Sequence, residues 1–516
     1  MKLKLNFFII SFFTFLFALE SDSTQSMSGG FGSTTIGGEI FNQISLRPEF
    51  PIGRFGIGFD IFLNIDSDGN LYKGDWNFND FKSSARSILD KVRYIRWSNP
   101  QDSFYFRFGN LNDVNLGMGI LVMNYTNALQ YPSIRKIGFN AKADFGTLGI
   151  ETIVSDFKYK PGLLGLRLTY KILPGLNMGL SYTEDVNQFS GLSDRDGDNY
   201  PDVFDHFPNE SEQFDEAQAQ SDDWQNFYIN NISSTGDTTL FGEWFKRLPL
   251  NHNKYSPIKS ENNEVAGYGV DFSFNLTNRL LIYTQAAKLI AQHSDSTSYS
   301  GGYGYVPIGL KYSWGPLSLL AEYRINSEHF LFNYWDKSYE VNRVIVNNQK
   351  LTTKEDRIFN YGKMKGLFIQ SKLRFGNLLE LKTNYTDMKG EVRENINDLF
   401  SPTEENKSFS STLSLKSSFI PKLNKAELFY QQTNIPNPFD FELTETSIYG
   451  YNLELKISDD MILVYRSITS FIPPEEEFVP EDVLARDIEF SDNEGIFTKV
   501  KPVNIIQLQT QFLFNP

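Results

Sequence analysis

Residues 164–183 read LGLRLTYKILPGLNMGLSYT. From Leu164 to Ile172 the even positions are Leu164, Leu166, Leu168, Tyr170 and Ile172, while the odd ones are Gly165, Arg167, Thr169 and Lys171. Beyond Pro174 and Gly175, Leu176, Met178, Leu180 and Tyr182 alternate with Asn177, Gly179, Ser181 and Thr183. A period of two sends successive side chains to opposite faces of a strand. Proline and glycine preset the dihedrals of a tight turn. The stretch therefore predicts a β-hairpin with one apolar face and one wet face.

The same phrase recurs along the chain. Turns fall at Phe145–Gly146, Thr277–Asn278 and Gly315–Pro316, and again near Gly376, Lys422 and Asp459. Val270, Phe272, Phe274 and Leu276 oppose Asp271, Ser273 and Asn275. The final strand, over 502–514, sets Ile506, Leu508, Thr510, Phe512 and Phe514 against Gln507, Gln509 and Gln511. Counting such runs gives sixteen strands from Thr147 onward and four to six before it, and the number expected in all is about 18–22.

The connections alternate in length. Long polar segments at 187–223, 248–263, 290–302, 326–362, 387–408, 432–446 and 469–500 separate one hairpin from the next, so long and short connections fall at opposite ends of the sheet. A soluble sandwich has no reason to sort its loops in this way. A transmembrane β-barrel does, and in hydrocarbon only a closed sheet leaves no backbone group unpaired. The fold class expected is all-β, one large antiparallel barrel.

With this alternation and an aromatic residue, Phe514, near its end, most of the chain resembles the Gram-negative outer-membrane β-barrel proteins. The resemblance implies an even strand number, short periplasmic turns, long extracellular loops and a setting among outer-membrane lipids. It also implies insertion by the machinery that reads the last strand of such barrels.

The N-terminus, MKLKLNFFIISFFTFLFALESDS, places Lys2 and Lys4 before an apolar run that ends at Glu20. This is the layout of a secretory signal peptide, assigned to 1–21. It leaves one barrel domain over 30–516, with an acidic insert at 187–223. The net charge of −15 argues against nucleic acid as a partner. The absence of cysteine excludes disulfides, thiolate metal sites and cysteine nucleophiles.

One metal signature stands out within that insert, SDRDGDNYPDVFDHFP at 193–208. Numbered from Asp194 as position one, Asp196 is three, Asp198 five, Tyr200 seven, Asp202 nine and Asp205 twelve. That is the ligand spacing of a twelve-residue calcium loop, in which Tyr200 contributes its backbone carbonyl. The Pro201–Asp202 pair and the Phe207–Pro208 ending resemble the calcium repeat of thrombospondin type 3 modules. The expected ion is a weakly held, structural Ca2+, with a dissociation constant of about 10⁻⁴–10⁻³ M.

Catalysis finds little support. The four histidines, His206, His252, His293 and His329, all fall in long loops. His293 adjoins Ser294 and Asp295, but adjacency along the chain is not the geometry of a triad. The chain reads as a non-enzyme. A barrel of this width encloses a lumen unless something fills it. By parity Arg167, Lys171, Glu322, Arg324, Lys372, Arg374 and Gln507 face that lumen. Segments 66–90 and 111–133, or an inward-folded loop, are the candidates to narrow it. The function expected is a passive channel or uptake protein for a small solute. The alternative is a non-conducting barrel that displays calcium-ordered acidic loops.

Overall fold

A computed structural model describes residues 26–514, apart from 189–226, 240–263, 294–298, 473–500 and shorter loop segments; for 501–514 it describes the backbone alone. The strands are β1 (Ser26–Ile36), β2 (Glu39–Ile52), β3 (Phe55–Phe59), β4 (Ile61–Ile65), β5 (Val92–Trp97), β6 (Phe104–Gly109), β7 (Gly138–Asp144) and β8 (Leu148–Val154). They continue as β9 (Leu164–Leu173), β10 (Leu176–Asp185), β11 (Val265–Asn275), β12 (Leu280–Gln292), β13 (Tyr299–Trp314) and β14 (Leu317–Asn326). A small separate hairpin follows, β15 (Val344–Asn347) and β16 (Lys350–Thr353). The last seven are β17 (Tyr361–Phe375), β18 (Leu379–Val392), β19 (Ser401–Leu415), β20 (Leu423–Ile435), β21 (Ile448–Ser458), β22 (Met461–Ile472) and β23 (Lys501–Phe514).

Except around β3 and β4, which both pair with β2, each strand of the main sheet pairs antiparallel with the sheet strands that flank it in sequence, and the first also pairs with the last, Met27 opposite Phe514 and Ser33 opposite Leu508. The ring of pairings is closed. Of 21 strands, β3 and β4 pair in line along β2 and act as one strand bent at Asp60, so the ring has twenty. The expected even number is met, because an antiparallel ring whose first and last strands also run antiparallel needs one. At the Pro174–Gly175 turn, Gly175 takes φ +84°, a dihedral that side chains with a Cβ resist.

Two expectations need correction. Fourteen ring strands, not sixteen, follow residue 147, and the remaining pair of strands, β15 and β16, belongs to an inward loop. Strands also run further than the loop boundaries drawn from sequence: β19 begins at Ser401 and β12 reaches Gln292. Ser401–Lys407 is polar except at Pro402, and Leu289–Ala291 is apolar at every position with Leu289 and Ala291 in the core, so the ladder continues there with no alternation to mark it.

The two faces are inverted relative to a soluble sheet. On β9, Leu166, Leu168, Tyr170 and Ile172 are 41–54% exposed, whereas Arg167 is 4% exposed. Leu310, Leu319, Tyr323, Leu367 and Ile369 repeat the pattern outside, opposite buried Gln285, Glu322 and Arg324 inside. The apolar core does not lie between sheets. It lies within the ring, where 110–137 and 327–360 fold inward. The helix α1 (Phe81–Leu89) leaves Phe81 and Ile88 exposed, and none of the described residues of 66–90 joins the core.

Candidate functional site

The lumen is filled by two lobes from one end of the ring. Lobe one, 110–137, buries Leu111, Leu121, Val122 and Tyr125; lobe two, 327–360, buries Phe330, Tyr334, Trp335 and Tyr339. They interlock through backbone. Val122 and Trp335 form a parallel bridge, Met123 N donates to Trp335 O at 3.1 Å, Trp335 N to Leu121 O at 3.1 Å, and Asn333 N to Ile120 O at 2.9 Å. Lobe two carries its own local structure: the β15–β16 hairpin and the helices α2 (Tyr339–Asn342) and α3 (Lys354–Ile358), the latter started by a Thr353–Asp356 capping box. The wall meets the lobes with small or apolar inward residues, among them Val265, Ala287, Leu289 and Ala291. A Cβ on Gly304 would fall on the Phe330 ring, so that close approach depends on glycine.

Charge fixes the lobes in one pose. Arg343 donates from Nη1 to Glu340 at 3.2 Å, from Nη2 to Asp185 of β10 at 3.3 Å and from Nε to the Gln188 carbonyl at 3.0 Å. Glu340 also accepts from Tyr125 and Lys136 of lobe one, and Tyr339 donates to Asp185. Burial alone would raise the Glu340 carboxyl, but Lys136 and Arg343 outweigh it and bring its pKa down to about 2. Glu355 behaves oppositely. It accepts from Gln188 Nε2 at 2.7 Å and Gln292 N at 2.5 Å, and burial pushes its pKa well up. On the far side Asp60 accepts from Arg47 at 3.0 Å and from Tyr131, while Arg466 of β22 donates to the Tyr131 carbonyl at 3.0 Å.

The residues expected to line a bore keep their parity, with one change of role. Arg167 lies inside, but it bridges Asp271 at 2.8 Å and Glu151 at 3.0 Å. Glu322 and Arg324 lie inside as well, 2.7 Å apart, with Tyr283 and Gln285 donating to Glu322 at 2.7 and 2.8 Å. Lys372 and Arg374 pair with Glu380 at 2.7 and 2.8 Å, and half-exposed Lys171 pairs with Asp144 at 3.3 Å. The side chain of Gln507 lies outside the description. Alternation reports which face a residue takes, and nothing about what shares that space.

Among the described residues, a cavity of ≈ 330 Å³ lies between the lobes and the wall from β14 to β20. Lys337 reaches it from lobe two, and Thr412, Phe429 and Gln431 reach it from the wall. Lys337 lies in a stretch read from sequence as exposed loop. The missed signal was FLFNYW at Phe330–Trp335, four aromatic residues and a leucine in six positions, which no solvated loop would carry.

The proposed calcium ligands Asp194, Asp196, Asp198, Tyr200, Asp202 and Asp205 lie outside the described residues. Among the described residues no three His, Asp or Glu side chains gather as a metal set. His329 does sit beside a hydroxyl, with Nδ1 3.2 Å from Ser300 Oγ. Its Nε2 faces Arg393 at 3.5 Å, and a guanidinium only donates. Nε2 must therefore accept and Nδ1 must carry the proton, which points it at Ser300 as a donor and not as a base. Burial, then Arg393, lowers the His329 pKa, so the neutral ring is favoured.

No family model matches the chain, and a search of curated proteins finds no match. Solved structures of similar fold are outer-membrane β-barrel porins and transporters. The copper transporter OprC is 10% identical at a TM-score of 0.35, over 95% of this chain and 80% of that one. OccK11 (OpdR) of Pseudomonas aeruginosa is 8% identical at 0.30, over 96% of each chain. Salmonella typhi OmpF, solved with daunomycin, is 10% identical at 0.29, over 95% of this chain and 96% of that one.

Proposed function

We propose that this chain is an outer-membrane channel or uptake protein for a small solute, with two inward lobes that restrict the path. One observation supports it above the rest: a closed ring whose outer positions are apolar and exposed, and whose charged inner positions surround a solute-sized cavity. Exposed apolar area on this scale is costly in water and at home among lipid tails. Residues 1–21 would direct export, the surroundings would be outer-membrane lipids, and the barrel-insertion machinery would place the chain there. The calcium loop would order the acidic insert outside the lumen.

The test is electrical. The purified full chain in planar bilayers should give small, discrete conductance steps. A variant with 330–358 replaced by a short Gly-Ser linker should give steps several times larger, because a filled lumen has been emptied. Silent insertion of both proteins would refute the channel reading.

A further inference from the structure

Among the described lining residues of the cavity, five are basic and two are carboxylates, in a chain whose net charge is −15. Local ion pairs account for part of this excess. Lys382 meets Asp113 at 3.0 Å, Lys354 meets Asp336 at 3.4 Å, and Arg324 is held by Glu322 behind it. Lys337 is different. Its Nζ donates to Thr412 Oγ1 at 3.0 Å and lies 4.9 Å from the centre of the Phe429 ring, and it makes no ion pair among the described residues. Burial lowers its pKa, while Asp113 and Glu427 act to hold the charge. Arg324 adds a second donor: Nε and Nη1 are bonded, at 2.7 Å to Glu322 and 2.9 Å to Asn333, while buried Nη2 donates to no atom of the described residues.

The surroundings of these two cations are flat and apolar. The Arg324 guanidinium lies 3.7 Å from the centre of the Phe368 ring and 4.8 Å from that of Phe332. The neutral lining, with Asn384, Ser410 and Gln431 among it, offers hydrogen bonds to either partner type and repels neither charge. A buried ammonium with neutral partners lacks the counter-charge that offsets its desolvation. At ≈ 330 Å³ the cavity falls at the small end of the ligand-pocket range of about 300–1,000 Å³.

We propose that this cavity binds a small organic anion, its negative group at the Lys337 amine and its apolar or ring-bearing body against Phe429 and the neighbouring rings. The inference deepens the channel reading, since a solute must reach the lumen to use the site. Selection follows from charge. An anion supplies Lys337 with the direct ion pair it lacks among the described residues, whereas a cation of the same shape meets an excess of positive charge.

Equilibrium dialysis of the purified full chain in detergent, with benzoate and benzylammonium as probes, tests it. Benzoate should bind saturably and benzylammonium should not. Lys337→Met, which keeps most of the stem's volume, should weaken benzoate by roughly tenfold or more, the worth of one charge-assisted hydrogen bond. Lys337→Arg should retain most of the affinity. Strand content by circular dichroism confirms that each variant is folded. No benzoate uptake, equal uptake of both probes, or an unchanged Lys337→Met would overturn the site. The same preparations, run in bilayers, keep the two readings apart. Binding without conductance removes transport and leaves the site, and conductance without binding does the reverse.

Discussion

At the scale of single residues, the docking of the lobes rests on a few buried charges, and pH should reveal which. Glu340 has its pKa brought down to about 2, below the ordinary 4.5, so its contribution is in place above pH 4.5 and fades as pH falls toward 2. Glu355 is raised by burial, so its contribution is greatest at low pH and fades as pH rises through the raised value. Amide protection factors across 334–342, exchange taken relative to the intrinsic rate at each pH, should therefore fall in acid below pH 4.5, and in Glu340→Gln they should be low already at neutral pH. Removing one partner of a buried pair leaves the other charges unmatched, at a cost of about 3–5 kcal/mol. Glu355→Gln should instead blunt the loss that sets in as pH rises above 4.5. Protection factors that are flat across both ranges would mean these carboxyls do not hold the lobe. Gly304→Leu tests packing in the same place. The side chain would displace Phe330, and the expected outcome is larger conductance with the ring intact.

At the scale of elements, the sequence was legible where water and lipid lie on opposite faces of a strand. Leu164 to Ile172 declared its faces because Leu166 and Leu168 answer to one medium and Arg167 to another. Ser401 to Lys407, polar on both faces except at Pro402, carried no such signal, and β19 was drawn too short. Lobe two was missed for a related reason. Its core is shared with lobe one, more than two hundred residues away, as in Tyr125 with Glu340, so no local period encodes it. Only the aromatic density of Phe330–Trp335 betrayed burial. The acidic insert carries its own prediction. Titration of the full chain with Ca2+ should protect 194–205 from proteolysis at about 10⁻⁴–10⁻³ M, and Asp198→Asn with Asp202→Asn should abolish that protection. Protection indifferent to Ca2+ would reduce the motif to an acidic loop.

At the scale of the whole molecule, the claim is that an inside-out sheet lives in lipid and keeps the largest apolar core of its described residues inside the ring, as a stopper. The absence of cysteine makes that claim directly measurable, because any single introduced thiol is unique. Spin labels at Leu168→Cys and Leu310→Cys, on the outer face, and at Thr412→Cys, on the cavity wall, can be compared in reconstituted vesicles. Their collision rates with dissolved oxygen, which concentrates in acyl chains, and with a water-soluble nickel chelate report the medium each one touches. The account predicts that 168 and 310 collide with oxygen and are shielded from nickel, while 412 shows the opposite order. Outer positions as open to nickel as to oxygen would mean that the apolar face meets water or another protein layer, and the barrel would have to be given up.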